Sequence, residues 1–202
     1  MIRAILYDLD GVLVHACEWH YAALNAALNA VCGFEISSNE HLTIYNGLTT
    51  KTKLNMMIVR GLLSQQDAKN VWQLKQIYTI KEIELHAMPY TEKIELHEYT
   101  TSRNLISACV TNSIRETATM MLDRTWQLQY MKCLICNEDA TPKPSPAPYL
   151  LAMKRLCLHP DECIIIEDSD KGMEAAIGSK GKVIKVDGCY QVNKMLIETA
   201  LR

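Results

Sequence analysis

The chain has 202 residues, 49% of them apolar and 22% charged, with a net charge of −2. These values fit one domain, or one domain carrying an inserted module, and exclude intrinsic disorder and fibrous repeats. There is no basic excess for coating a nucleic-acid backbone and no apolar run of the ~18 residues a membrane span needs, and Met1-Ile-Arg-Ala-Ile-Leu-Tyr-Asp8 reaches an acidic residue too soon for a signal peptide, so a cytoplasmic protein is expected.

The first predicted element is a strand over Arg3–Tyr7, apolar almost throughout. A long stretch follows in which no strand is apparent. In it Leu24, Leu28 and Val31 share one helix face, a second helical run covers Lys51–Leu63, and a third starts at Ser64-Gln-Gln-Asp67 with Val71, Leu74 and Tyr78 on one stripe. The second strand is Leu105–Val110. Ser113-Ile-Arg-Glu116 has the capping-box pattern and predicts a helix running to about Trp126. Strand Cys133–Cys136, helix Pro146–Leu156, strand Cys163–Ile166, helix Ser169–Ile177 stopped by Gly178, and strand Lys182–Val186 complete the chain.

Near-continuous apolar strands are the pattern of parallel strands buried on both faces. Their alternation with helices predicts an α/β fold, a doubly wound, Rossmann-like parallel sheet. The helical stretch is then an inserted α-helical module over residues 15–86, with the core formed by residues 1–14 and 87–202. The eight cysteines lie among apolar residues and read as free thiols. Cys133-Leu-Ile-Cys136 has CxxC spacing, but no second pair stands near to complete four ligands, and a buried strand accounts for the letters.

Four features fall just beyond predicted strand ends, the edge where open α/β sheets bind ligands. Asp8-Leu-Asp10-Gly11 follows the first strand. Two carboxylates at i and i+2 on extended chain point the same way, ~6–7 Å apart, which is costly unless a cation or a function offsets it. An exposed acidic turn would carry the same letters. Val110-Thr111-Asn112-Ser113 ends the second strand, where a hydroxyl and an amide beside helix-start N–H groups suit an anion such as phosphate, or an ordinary helix cap. Lys143 lies within Pro142-Lys-Pro-Ser-Pro-Ala-Pro148, a stiffened loop that holds the ammonium with less entropic loss. Ile164-Ile-Ile-Glu167-Asp168-Ser169 delivers two carboxylates whose hard oxygens, with Asp8, suit Mg²⁺; a helix N-cap at Asp168 or Ser169 is the plainer reading.

The four together, in this order, resemble the haloacid dehalogenase-like (HAD) hydrolase superfamily, along the whole chain. The absence of room between Thr111 and Lys143 for a cap, and its presence between Asp10 and Thr111, make the chain similar to the β-phosphoglucomutase and phosphoglycolate phosphatase branch with a helical cap. The resemblance implies a phosphohydrolase in which Asp8 is the nucleophile, Asp10 the acid/base and Lys143 the charge-neutralising group. It also implies that Thr111 and Asn112 bind phosphate, and that Mg²⁺ is held by Asp8, Asp10, Glu167 and Asp168, with Asp10 contributing its backbone carbonyl. Glu18 and His20 match residues at the mutase-like entry to the cap and are implied to contact substrate, whereas His15 stands where those relatives usually have Asp.

The expected substrate is a small phosphorylated metabolite, with no nucleic-acid or membrane partner, and the expected oligomeric state is a monomer or weak homodimer. A hexose-phosphate mutase is the alternative. Aligned on Gly47, however, Asn46 and Thr50 replace the Lys and Arg with which such mutases grip a second phosphate, and this favours hydrolysis. Dehalogenation is disfavoured by Asp10. A phosphonate-cleaving enzyme would need a cap Lys such as Lys51 or Lys53, and a non-catalytic regulator on the same fold would not need the full set of side chains.

Overall fold

The apolar run Ala4-Ile-Leu-Tyr7 forms strand β1 and is fully buried. With no polar residue to turn toward water, it can only sit in the middle of a sheet covered on both faces. It does so in the computed structural model, which describes residues 1–202. Strands β2 (Ile106–Val110), β3 (Met131–Ile135), β4 (Cys163–Glu167) and β5 (Lys182–Lys185) complete a five-stranded sheet in the order β3-β2-β1-β4-β5. Every pairing is parallel, and Tyr7 is level with both Cys109 and Ile166. The fold is therefore the doubly wound α/β class expected from the strand pattern. Parallel register has one consequence for chemistry: the residues following β1, β2 and β4 emerge together along the carboxyl edge.

The chain divides into two compact units, Met1–His15 with Ala87–Arg202, and Ala16–His86. The first holds the sheet with helices α5 (Thr91–Ser102), α6 (Arg115–Arg124), α7 (Ala147–Leu156), α8 (Asp170–Gly178) and α9 (Lys194–Ala200). Leu6, Val110, Ile135 and Ile165 pack against Tyr149, Ala152 and Met153 of α7 and Ala175 and Ala176 of α8. Each large aliphatic side chain so buried contributes ~1.5–3 kcal/mol relative to exposure.

The second unit is helical: α1 (Cys17–Cys32), a short α2 (Ser38–Glu40) running into a wider turn over His41–Tyr45, α3 (Thr50–Val59) and α4 (Gln65–His86). Gly33, at φ 71°, ends α1 and returns its N–H to the Asn29 carbonyl. Ser64 and Asp67 cap α4 reciprocally: the Ser64 N–H and hydroxyl donate to the Asp67 carboxylate, and the Asp67 N–H donates to Ser64 Oγ. Leu24, Leu28, Tyr45, Met57 and Val71 form the core of this unit. No helix is long and apolar enough to cross a membrane.

One local expectation needs correction. Ser113 does not cap α6; the helix starts at Arg115 after Ile114, with no side-chain cap, because the Ser113 hydroxyl is used elsewhere. α8 ends at Gly178, the expected place, with Ser179 following it. The Cys133–Cys136 pair sits on and just after β3, and all eight cysteines are free thiols.

Candidate active site

Asp8 leaves β1 with its N–H donated to Ile166 O, which pins it beside the end of β4. Its Oδ1 accepts from Lys143 Nζ at 2.7 Å, and the same ammonium donates to Glu167 Oε1 at 2.5 Å. All three side chains are buried. Burial alone would lower the Lys143 pKa, but the Asp8 and Glu167 carboxylates overcome it and hold the ammonium well above its ordinary value. Tyr149 of α7 adds a hydroxyl donated to Glu167 Oε1 and a ring whose centroid is 4.9 Å from Lys143 Nζ. Buried charge is tolerated here because it is paired and hydrogen-bonded.

Lys143 is placed by Asn112. The Asn112 amide donates to Lys143 O at 3.0 Å and its Oδ1 accepts the Lys143 N–H at 2.9 Å. The side chain read from sequence as a phosphate donor thus grips the backbone of Lys143. Thr111 is buried; its N–H donates to Ile135 O, and its Oγ1 accepts the Ser113 N–H at 3.0 Å. Ser113 Oγ donates to Asp10 Oδ2 at 2.7 Å. Asp8 and Asp10 therefore stand in unlike surroundings, one against an ammonium, the other against a hydroxyl.

Glu167, Asp168 and Asp8 each bring one carboxylate oxygen within 4.8 Å of the others. The Asp10 carboxylate is not part of this trio. Burial, then the neighbouring Glu167, pushes Asp8 well above the usual carboxylate range, and the same two causes raise Asp168 to about 7. One lysine does not offset three crowded carboxylates. Glu167 Oε2 and Asp168 Oδ1 are both buried without a hydrogen-bond partner. Orphaned hard oxygens in a converging acidic set fit a divalent cation such as Mg²⁺. Two glycines make room for them. A Cβ on Gly172 would lie 1.9 Å from Glu167 Oε2, and one on Gly11 would lie 2.0 Å from Asp168 Oδ2. Ser169 Oγ, not Asp168, caps α8, accepting from Gly172 N–H.

Comparison with known proteins decides the family. A profile for haloacid dehalogenase-like hydrolases matches residues 5–186. The chain belongs to that family. The HAD-like chain is 27% identical to the phosphoglycolate phosphatase of Thiobacillus denitrificans over 99% of its own length and 89% of that protein's. It is 24% identical to the pyrophosphatase PpaX of Oceanobacillus iheyensis, covering 83% of this chain and 75% of the relative. A β-phosphoglucomutase structure from Clostridium difficile shares the fold at a TM-score of 0.83 and 20% identity, covering 100% of both chains.

Tyr149 is a site residue that the sequence did not single out, and Ser113 was read there as a helix cap rather than as the partner of Asp10. A buried tyrosine on an apolar helix face usually finds an acceptor, which was the available signal for Tyr149. Within the helical unit, Glu18 is exposed in the first turn of α1, and His20 Nδ1 is 3.1 Å from Lys75 Nζ. His41 is buried there, and burial, then the nearby Lys53, His20 and Lys75, lowers its pKa to about 3.

Proposed function

We propose that this HAD-like protein is a Mg²⁺-dependent phosphatase of small phosphomonoesters that works through an aspartyl-phosphate. The observation that carries this reading is the unlike placement of the two aspartates: Asp8 paired with Lys143 beside the acidic trio, and Asp10 held by the Ser113 hydroxyl. Two carboxylates in different surroundings can divide the roles of nucleophile and proton carrier.

In the first step an Asp8 oxygen forms a bond to phosphorus, and the bond from phosphorus to the ester oxygen breaks. Asp10 gives its proton to that departing oxygen. In the second step water adds to phosphorus, its proton passes to the Asp10 carboxylate, and the Asp8–phosphorus bond breaks to release phosphate. Lys143 and the Thr111 hydroxyl offset charge on the transferring group, while Asn112 keeps the Lys143 backbone in register. Asp8, Glu167 and Asp168, with the Asp10 backbone carbonyl, are the residues that would hold Mg²⁺. When bound, the ion supplies further positive charge opposite the phosphoryl oxygens.

Glu18 and His20 are proposed as contacts to the organic part of the substrate, on the strength of the sequence resemblance. A mutase would use the same core residues; Asn46 and Thr50 favour hydrolysis. The test is turnover of p-nitrophenyl phosphate with and without Mg²⁺, followed by a panel of phosphorylated metabolites. Turnover that needs no divalent cation would overturn the metal role. Conversion of a sugar 1-phosphate to its 6-phosphate faster than release of phosphate would favour the mutase.

A further inference from the structure

The turn that carries Asp10 is closed by its own backbone. Leu9 O accepts the N–H groups of Val12, Leu13 and Val14, and Val14 O accepts that of Gly11. The Leu13 carbonyl is directed away from this knot, to a residue far along the chain: Gln127 Nε2 donates to it at 3.1 Å. Gln127 is fully buried in the turn after α6. Its Nε2 also meets Thr125 Oγ1 at 3.0 Å, and its Oε1 pairs with His97 Nε2 at 3.0 Å.

His97, on α5, fixes which way the Gln127 amide points. The His97 ring is set edge-on to Tyr7 and stacked on Tyr130, with centroids 5.8 and 5.1 Å away. Burial lowers its pKa to about 4, so the ring is neutral at pH 7. Its Nδ1 is buried without a partner, which places the single ring proton on Nε2, donated to Gln127 Oε1. The amide nitrogen must then face Leu13. A buried amide with both ends committed is a rigid strut.

We propose that Gln127 is a positioning residue for catalysis, tethering the Leu9–Val14 turn through the Leu13 carbonyl and so holding Asp10 at the distance its proton transfer needs. Asp10 is three residues from the tether, inside a turn closed by four backbone hydrogen bonds. The proposal rests on the reading of Asp10 as acid/base.

The experiment compares kcat/KM for an alkyl phosphomonoester and for p-nitrophenyl phosphate. Expulsion of an alkoxide needs the Asp10 proton, whereas nitrophenolate leaves without it. Gln127→Glu keeps size and the His97 contact and, in its ionised form, has no donor for Leu13 O. Gln127→Met removes both contacts without burying a charge and covers the case in which Gln127→Glu does not fold. The expected result for either is a loss of about tenfold on the alkyl ester and little on the aryl ester, the scale of a slightly misplaced catalytic group. Equal losses on both esters, tracking a fall in melting temperature, would assign Gln127 a packing role and overturn the proposal. Asp10→Asn is the control. If it too loses equally on both esters, the acid/base assignment of Asp10 fails and the proposal with it, an outcome distinct from selectivity in Asp10→Asn alone.

Discussion

Gly11 and Asp168 share one small volume: the position a Cβ would take on Gly11 lies 2.0 Å from Asp168 Oδ2, and Gly11 holds φ at +88°. Glycine is required twice over, by space and by backbone conformation. The turn after β1 and the carboxylate after β4 are thereby fitted to one another, though far apart in sequence. Gly11→Ala is expected to drive Asp168 out of the acidic trio. Mg²⁺ affinity, measured by calorimetry, should fall at least about tenfold if one of three carboxylate ligands is lost. Unchanged affinity in a folded variant would remove Asp168 from the metal site.

The legible part of this molecule was the part written in local pattern. Five apolar runs became five parallel strands, each end within about two residues of its expected place; the pattern is purest in β1 and β4, which are buried throughout, and weaker in the edge strands β3 and β5, which are partly exposed. Parallel register then gathers Asp8, Thr111, Glu167 and Asp168 at one edge, so strand-end carboxylates could be singled out before any distance was known. The roles that escaped are tertiary. Ser113 has the letters of a helix cap, and only the arrival of Asp10 from β1 diverts its hydroxyl. Tyr149 looks like one apolar position of α7 until Glu167 of β4 stands under it. Asn112 could offer its amide to an anion or to backbone, and only the fold of the Lys143 loop reveals the backbone grip.

Tyr149→Phe tests the support beneath Glu167. The ring remains over Lys143 while the donor to Glu167 Oε1 is lost. Hydrogen bonds to charged groups contribute roughly 1.5–3 kcal/mol, so thermal unfolding should show a drop of several degrees. Because Lys143 then remains the donor on that oxygen, kcat should fall as well. A variant with wild-type stability and rate would show that the phenol is dispensable.

The raised pKa of Asp168, about 7, gives metal binding a pH dependence. Its carboxyl holds a proton that a cation must displace, so Mg²⁺ should bind more tightly as pH rises through 6–8 and level off above. Calorimetry in two buffers of different ionisation enthalpy should detect proton release near pH 6.5. Linkage gives the sign for stability. The folded, metal-free protein binds more protons than the unfolded chain between the ordinary carboxylate value of 3.8 and about 7, so this group's contribution declines as pH rises across that window. Added Mg²⁺ should restore stability most at the upper end. An affinity independent of pH would show that Asp168 is already ionised without metal.

Asp8→Asn sets activity against stability. The side chain keeps its shape but loses the charge that attacks phosphorus, and turnover should vanish, with no hydroxylamine-sensitive acyl phosphate formed on the enzyme. Stability should move the other way. Burial and the adjacent Glu167 make an ionised Asp8 unfavourable, and its removal leaves Lys143 paired with Glu167 at 2.5 Å. One buried cation then faces one fully buried carboxylate instead of two, a better balanced set. The metal-free variant should therefore melt higher than the metal-free wild type, and Mg²⁺ should stabilise it less, since one of the three converging oxygens has lost its charge. Differential scanning in chelator and in Mg²⁺ separates the two effects. A lower melting temperature in chelator would mean that Lys143 needs both carboxylates, and turnover near the wild-type rate would remove Asp8 from the role of nucleophile.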